Sequence, residues 1–257
     1  MERIPVKGVA VRKIDGEILY DGEARSLKEF IQDLVKRGMS LAGTDLRGLN
    51  LTHLDLEGGD FAGAWLDGAD LRGAVARKAS FSGASMRGVR ADGIQADRSA
   101  FSGADLSPCP DTGKASSLDG AILTYSAFRG TDLTGVKARG VAASSTDVTG
   151  AKVIKAEFDG ATMHNAEWQD ATVVSTSFRR ANLEPTLRID EAHMPDRTDG
   201  ATVAGNNLRN ARIGTGNSAF RMDAVAGRAS RYGSWAALTA GRSGIHSITR
   251  FPVDHLS

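Results

Sequence analysis

From Met39 to Leu183 a bulky apolar residue returns every fifth position, a spacing that fits neither the 3.6-residue turn of a helix nor the two-residue alternation of a strand. The first series runs from Leu41 through Leu46, Leu51, Leu56, Phe61, Leu66, Leu71, Phe81 and Phe101 to Leu106. The second runs from Leu118 through Leu123, Phe128, Leu133, Phe158, Trp168 and Phe178 to Leu183. Two residues before most of these centres sits a small residue, as at Ala64, Ala69, Ala104, Thr131 and Ala161. Glycine closes many of the units, as at Gly43, Gly68, Gly83 and Gly103, where a side only five residues long has to turn a corner. Such a repeat is an architecture before it is a secondary structure.

Units such as Ala64-Trp65-Leu66-Asp67-Gly68, Ala69-Asp70-Leu71-Arg72-Gly73 and Thr131-Asp132-Leu133-Thr134-Gly135 resemble the pentapeptide-repeat family. The resemblance implies an all-β repeat fold, a right-handed four-sided parallel β-helix in which each pentapeptide is one side and four make a coil. Its central and small residues then point inward. Residues twenty apart should stack, so Leu41, Phe61, Phe81 and Phe101 form one interior ladder and Leu118, Ala138, Phe158 and Phe178 another. At ~1.5–3 kcal/mol for each fully buried large side chain, such ladders can stabilise a rod that has no conventional globular core. Seven or so coils at ordinary strand spacing give a length on the order of 35 Å.

Residues 1–38 fall outside the repeat and read as an N-terminal cap made of a hairpin and a helix. The hairpin turns at Asp15-Gly16 and ends at the second Asp-Gly, Asp21-Gly22. Ser26 then caps a helix carrying Leu27, Phe30, Ile31, Leu34 and Val35 at helical spacing, stopped by Gly38. The repeat domain spans 39–213, with excursions at 107–117 and 184–200. Leu106 and Leu118 are two residues further apart than the fivefold register allows, and Pro108, Pro110 and Gly113 mark a loop standing off the rod. Nothing basic adjoins Cys109 in sequence, which reads as a passive thiol. Leu183 and Val203 are one coil length apart, so the segment between them either forms a degenerate coil with Arg188 and His193 inward or loops out. Looping out is the expectation, since an inward arginine would be buried without a partner.

Residues 214–257 form a non-repeat C-terminal tail with five arginines against Asp223 and Asp254. Its candidate partner-binding residues are Arg221, Arg228, Arg231, Tyr232, Trp235, Arg242, Arg250 and Phe251, the residue types that dominate interfaces. Packing as a terminal cap is the alternative.

For catalysis the chain offers little. The histidines at 53, 164, 193, 246 and 255 have no metal or triad spacing, no phosphate-binding loop occurs, and Gly214-Thr215-Gly216 lacks a dinucleotide-site context. The reading is a non-enzyme without cofactor or metal: a structural or protein-interaction rod, with a phage particle or larger assembly as its setting and self-association left open. Pentapeptide-repeat resemblance supplies a second reading, a DNA mimic that modulates a type II topoisomerase. Residues 39–106 hold nine acidic against seven basic residues and residues 118–183 seven of each, a nearly neutral rod ill suited to copying phosphates. Nucleic-acid binding through the basic tail is a third and weaker reading. With 32 basic against 31 acidic residues, one cysteine and no long apolar run, the chain reads as cytoplasmic, or as virion-associated if phage-encoded, and not as membrane-spanning. A docking tail has a direct test: a chain ending at residue 213 should keep its melting temperature and lose its partner, whereas a capping tail would take the melting temperature down with it.

Overall fold

The computed structural model describes residues 7–183, 202–204 and 222–223. Residues beyond Met39 wind into coils of four five-residue sides, and each side contributes one backbone-paired residue to a parallel ladder. Asn50 pairs with Asp70, Asp70 with Arg90, and so on, twenty residues at a time. Each side also sends two amides to the coil above, as when Phe61 N–H donates to Ser80 O at 2.7 Å and Gly63 N–H to Ser82 O at 2.8 Å. The chain turns at every corner, and every corner residue from Gly43 to Arg180 outside the 107–117 excursion holds a left-handed φ. Glycine corners lie at 62–69° and ten non-glycine corners at 53–60°.

Four interior columns result, and all seven core residues named from the sequence are buried: Leu41, Phe61, Phe81, Phe101, Leu118, Phe158 and Phe178. Phe61 and Phe81 stack with ring centroids 5.2 Å apart, and Phe81 and Phe101 at 5.0 Å. The column does not stop at Phe101, as two separate ladders would have it. Phe101 stacks on Phe128 at 4.6 Å and 4°, joining the two series into one column. Leu118 correspondingly begins no ladder of its own, because Ser117 pairs with Arg90 and so continues the side that holds Ala91. The coil crossing the excursion is twenty-seven residues long, which makes the insertion seven residues and not two. Buried hydroxyls at the small position bond to carbonyls of the turns: Thr131 Oγ1 donates to Phe101 O at 2.7 Å and Ser126 Oγ to Ala96 O at 2.7 Å. A polar side chain thus sits in an alanine's place with its hydrogen bond made.

At the N-terminal end, strands β1 (Lys7–Arg12) and β2 (Ile18–Ala24) pair antiparallel, and helix α1 (Leu27–Lys36) follows. Ser26 Oγ accepts from Glu29 N–H at 3.2 Å, and Phe30, Ile31, Leu34 and Val35 join the core that the coils share. An antiparallel pair between Lys13 and Thr44 ties the hairpin to the first coil. Asp21-Gly22 does not end the hairpin: both residues pair within β2, opposite Ala10 and Val9. Gly22 is there for space, since a Cβ at that position would lie 3.0 Å from the Phe30 ring.

Further along, β3 (Lys152–Ile154), β4 (Thr172–Val174), β5 (Thr202–Ala204) and β6 (Met222–Asp223) form one parallel sheet in chain order. Val203 registers on Val173, thirty residues back, and not one coil above Leu183, which belongs to another side. Ten extra residues therefore precede β5. Arg188, His193 and the rest of 184–200 lie outside the described residues. Part of the 214–257 segment, Met222–Asp223, continues the sheet.

Left-handed φ costs an L-residue roughly 1–2 kcal/mol, which glycine avoids at some entropic cost. A Cβ on Gly83 would meet nothing within 4 Å, so Gly83→Ala isolates this conformational term and should lower stability by about 1–2 kcal/mol in urea unfolding. Lys155→Gly, at a corner already left-handed, should raise it by roughly 0.5–1 kcal/mol.

Candidate interaction surfaces

Outward positions carry most of the charge, and it is paired along the rod. Arg87 reaches one coil down to Asp67 at 2.6 Å, Arg139 to Asp119 at 2.5 Å, and Arg179 to Asp159, each arginine's own amide also donating to the same carboxylate. Asp70 receives Arg72 from its own coil at 2.8 Å and Arg90 from the coil above at 2.5 Å, and its side chain is only 7% exposed beneath them. The Arg72 hydrogen bond holds the Asp70 carboxyl below the usual carboxylate range, against the opposing effect of burial and with further help from Arg90. Asp67 is also held low: burial is the largest single influence and raises it, but hydrogen bonds from Arg87 and Ser85 together outweigh that. Sequence order could show these charges as outward and mixed, but not as vertical pairs, because partners twenty residues apart are invisible until coils stack.

The 107–117 excursion does not stand off the rod. It replaces one corner and lies against two neighbours: a Cβ on Gly88 would sit 2.8 Å from Cys109 Cβ and 3.0 Å from Lys114 O, and one on Gly135 would sit 3.2 Å from Pro108 Cγ. Between excursion and coils lies an open groove of about 1320 Å³, lined by Arg87, Arg90, Lys114, Lys137 and Arg139 together with Asp67, Asp92 and Asp119. Cys109 shares this groove with Arg87, a cation that sequence order did not place near it. The Thr112 hydroxyl, with the backbone amides of Thr112 and Asp111, holds the Cys109 thiol below its ordinary value.

Above Arg98 a different side carries no Asp, Glu, Lys or Arg as far as Asn182. Its outward column runs Val75, Gln95, Ile122, Ala142, Thr162 and Asn182, and its corner is non-glycine in five successive coils: Lys78, Arg98, Tyr125, Ser145 and Asn165. Ile122 and Tyr125 are 41% and 65% exposed, and the Arg98 guanidinium lies 5.7 Å from the Tyr125 ring centre. This exposed pair was not singled out from the sequence, although a tyrosine in a glycine register was a readable signal.

Among the described residues no three His, Cys, Asp or Glu side chains are grouped to hold a metal ion, and no helix is long and apolar enough to cross a membrane. The tail residues proposed from sequence, Arg221, Arg228, Arg231, Tyr232, Trp235, Arg242, Arg250 and Phe251, lie outside the described residues.

The geometry defines a four-sided parallel β-solenoid whose coil is four pentapeptides. The chain is a pentapeptide-repeat protein: the pentapeptide-repeats family model matches residues 60–90 in 8 copies. Among solved structures the chain is similar to HetL, a pentapeptide repeat protein involved in heterocyst differentiation regulation from the cyanobacterium Nostoc sp. strain PCC 7120. That match has 20% identity, covers 68% of this chain and 76% of that one, and has a TM-score of 0.44. It is similar also to a trypsin-treated form of QnrB1, a plasmid-mediated fluoroquinolone resistance protein, at 18% identity over 64% and 76% of the two chains with a TM-score of 0.42. Rfr23 from the cyanobacterium Cyanothece 51142 matches at 21% identity over 54% and 87%, with a TM-score of 0.26. No curated protein matches the chain.

Because Asp70 has a lowered carboxyl pKa, its stabilising effect is complete above the unfolded value of about 3.9 and is lost as pH falls through the folded value. Asp70→Asn should cost about 1–3 kcal/mol at neutral pH, and its melting temperature should converge on the wild type's only as the pH falls through the lowered folded value.

Proposed function

We propose that the chain is a non-enzymatic protein-interaction rod. The observation that carries this is Tyr125, a large aromatic held 65% exposed in a left-handed corner beside exposed Ile122, where its side bears no Asp, Glu, Lys or Arg from Ile122 to Asn182. Strain of this kind persists where a side chain is needed at the position, and exposed apolar groups on an otherwise polar rod mark where another surface sits. Arg231 and Trp235 of the tail are proposed as further anchors of the same contact type. The DNA-mimic reading is disfavoured by the pairing of carboxylates along the rod: Asp67, Asp70 and Asp147 each carry an arginine and offer little free negative charge.

In-cell cross-linking in the native source should yield a protein adduct that Ile122→Ser with Tyr125→Gly abolishes without lowering the melting temperature. Identical adducts from the double variant would sink this reading. Titrated into a gyrase supercoiling assay, the protein should change neither supercoiling nor quinolone sensitivity, and inhibition there would transfer the assignment to the mimic.

A further inference from the structure

The side of the rod whose inward residues are Leu118, Ala138, Phe158 and Phe178 carries its outward charges in rows, one row to a coil. One outward column is Ser117, Lys137, Glu157 and Ser177, successive partners in the parallel ladder. The other is Asp119, Arg139, Asp159 and Arg179, which follow one another through the corner amides of Gly120, Gly140 and Gly160. The rows are therefore Ser117 with Asp119, Lys137 with Arg139, Glu157 with Asp159, and Ser177 with Arg179. With the exposed corner Arg180 counted in the last row, their net charges are minus one, plus two, minus two and plus two, so the signs alternate.

That order is its own complement when reversed. Let a two-fold axis lie along the row direction, midway between the Lys137 and Glu157 rows, so that a second rod faces the first and runs the opposite way. Lys137 then meets Glu157 of the second copy, Arg139 meets Asp159, Asp119 meets Arg179, and Ser117 meets Ser177, each position opposite its own column. A two-fold axis along the rod gives the parallel arrangement and sets Lys137 against Arg139 and Glu157 against Asp159, like on like. From this we infer that a second copy of the chain docks antiparallel on this face as an isologous dimer.

Asp119, Lys137 and Arg139 line the open groove beside the 107–117 excursion, so a second copy enters that groove to reach them. Arg139 and Glu157 are about half exposed, and the shortest distance between their charged atoms is 3.9 Å. Lys137 is exposed and makes no ion pair among the described residues. Pairs already made within the chain, Arg139 with Asp119 and Arg179 with Asp159, are not broken, since each arginine has a second edge to offer and each becomes a bridge between two carboxylates. Four rows span only about 14 Å from first to last at strand spacing, so the contact is small and electrostatic, and its affinity falls with salt.

The inference names one partner for the interaction rod proposed above and uses a different face, so the two can fail separately. Analytical ultracentrifugation of the full-length chain should show a monomer–dimer equilibrium at low ionic strength that shifts to monomer as salt rises through about 0.15 M. Lys137→Glu and Glu157→Lys, each alone, should weaken the dimer at least about tenfold, because each places like charges opposite one another twice by symmetry. An equimolar mixture of the two variants should restore it as a heterodimer, since the introduced glutamate of one variant then faces the introduced lysine of the other, and the two unaltered side chains face each other as before. Lys137→Gln and Glu157→Gln, which add no repulsion within the chain, serve if either reversal lowers the melting temperature, and each should weaken the dimer by a smaller factor. A monomer at every salt concentration, a dimer indifferent to the single reversals, or a mixture that stays monomeric would each overturn the inference, and an intact Tyr125-dependent adduct alongside any of these would leave the interaction reading standing.

Discussion

A side five residues long is viable only if the backbone can turn through a left-handed corner at its end. At every described corner from Gly43 to Arg180, the one replaced by the 107–117 excursion apart, the φ angle lies near +60°, whatever residue is present. That single geometry returns the chain to its starting direction after four sides and brings residue i under residue i+20, where the amides of one coil find the carbonyls of the next. The phenylalanine stack and the arginine–aspartate ladders both inherit this repeat. Neither could exist if the length of a side varied, because a slip of one residue within a side would turn each inward centre outward.

The interior was legible in the sequence because its period depends on nothing but the corner. Phe61, Phe81 and Phe101 could be stacked on paper from spacing alone, and they stack. Phe128 could not be placed on Phe101, because spacing does not reveal how many residues a single corner has absorbed. Asp21-Gly22 misled for a related reason. The dipeptide is a turn signal in isolation, and only the nearby Phe30 ring explains a glycine inside a strand.

Surface chemistry was harder to read, and the reason is distance along the chain. Asp67 and Arg87, or Lys137 and Glu157, become neighbours only after the coil closes, so a sequence that looks like evenly mixed charge conceals ordered columns. The four sides then differ in ways that average composition hides. One is a ladder of alternating rows, another uncharged from Ile122 to Asn182 with Tyr125 at its corner. The tail arginines and aromatics remain a proposal from composition, outside the described residues.

The seven-residue excursion bears on how such a chain can change in length. It enters and leaves at one corner, and on either side of it all four interior columns run on in register, Phe128 over Phe101 and Leu118 in line with Ala91. Corners are thus the places where the polypeptide tolerates genetic insertion without any cost to the interior, while a single residue added within a side would be felt by every coil beyond it. A foreign peptide grafted between Cys109 and Gly113 would be displayed at a fixed height on a rigid post, with the scaffold indifferent to what it presents.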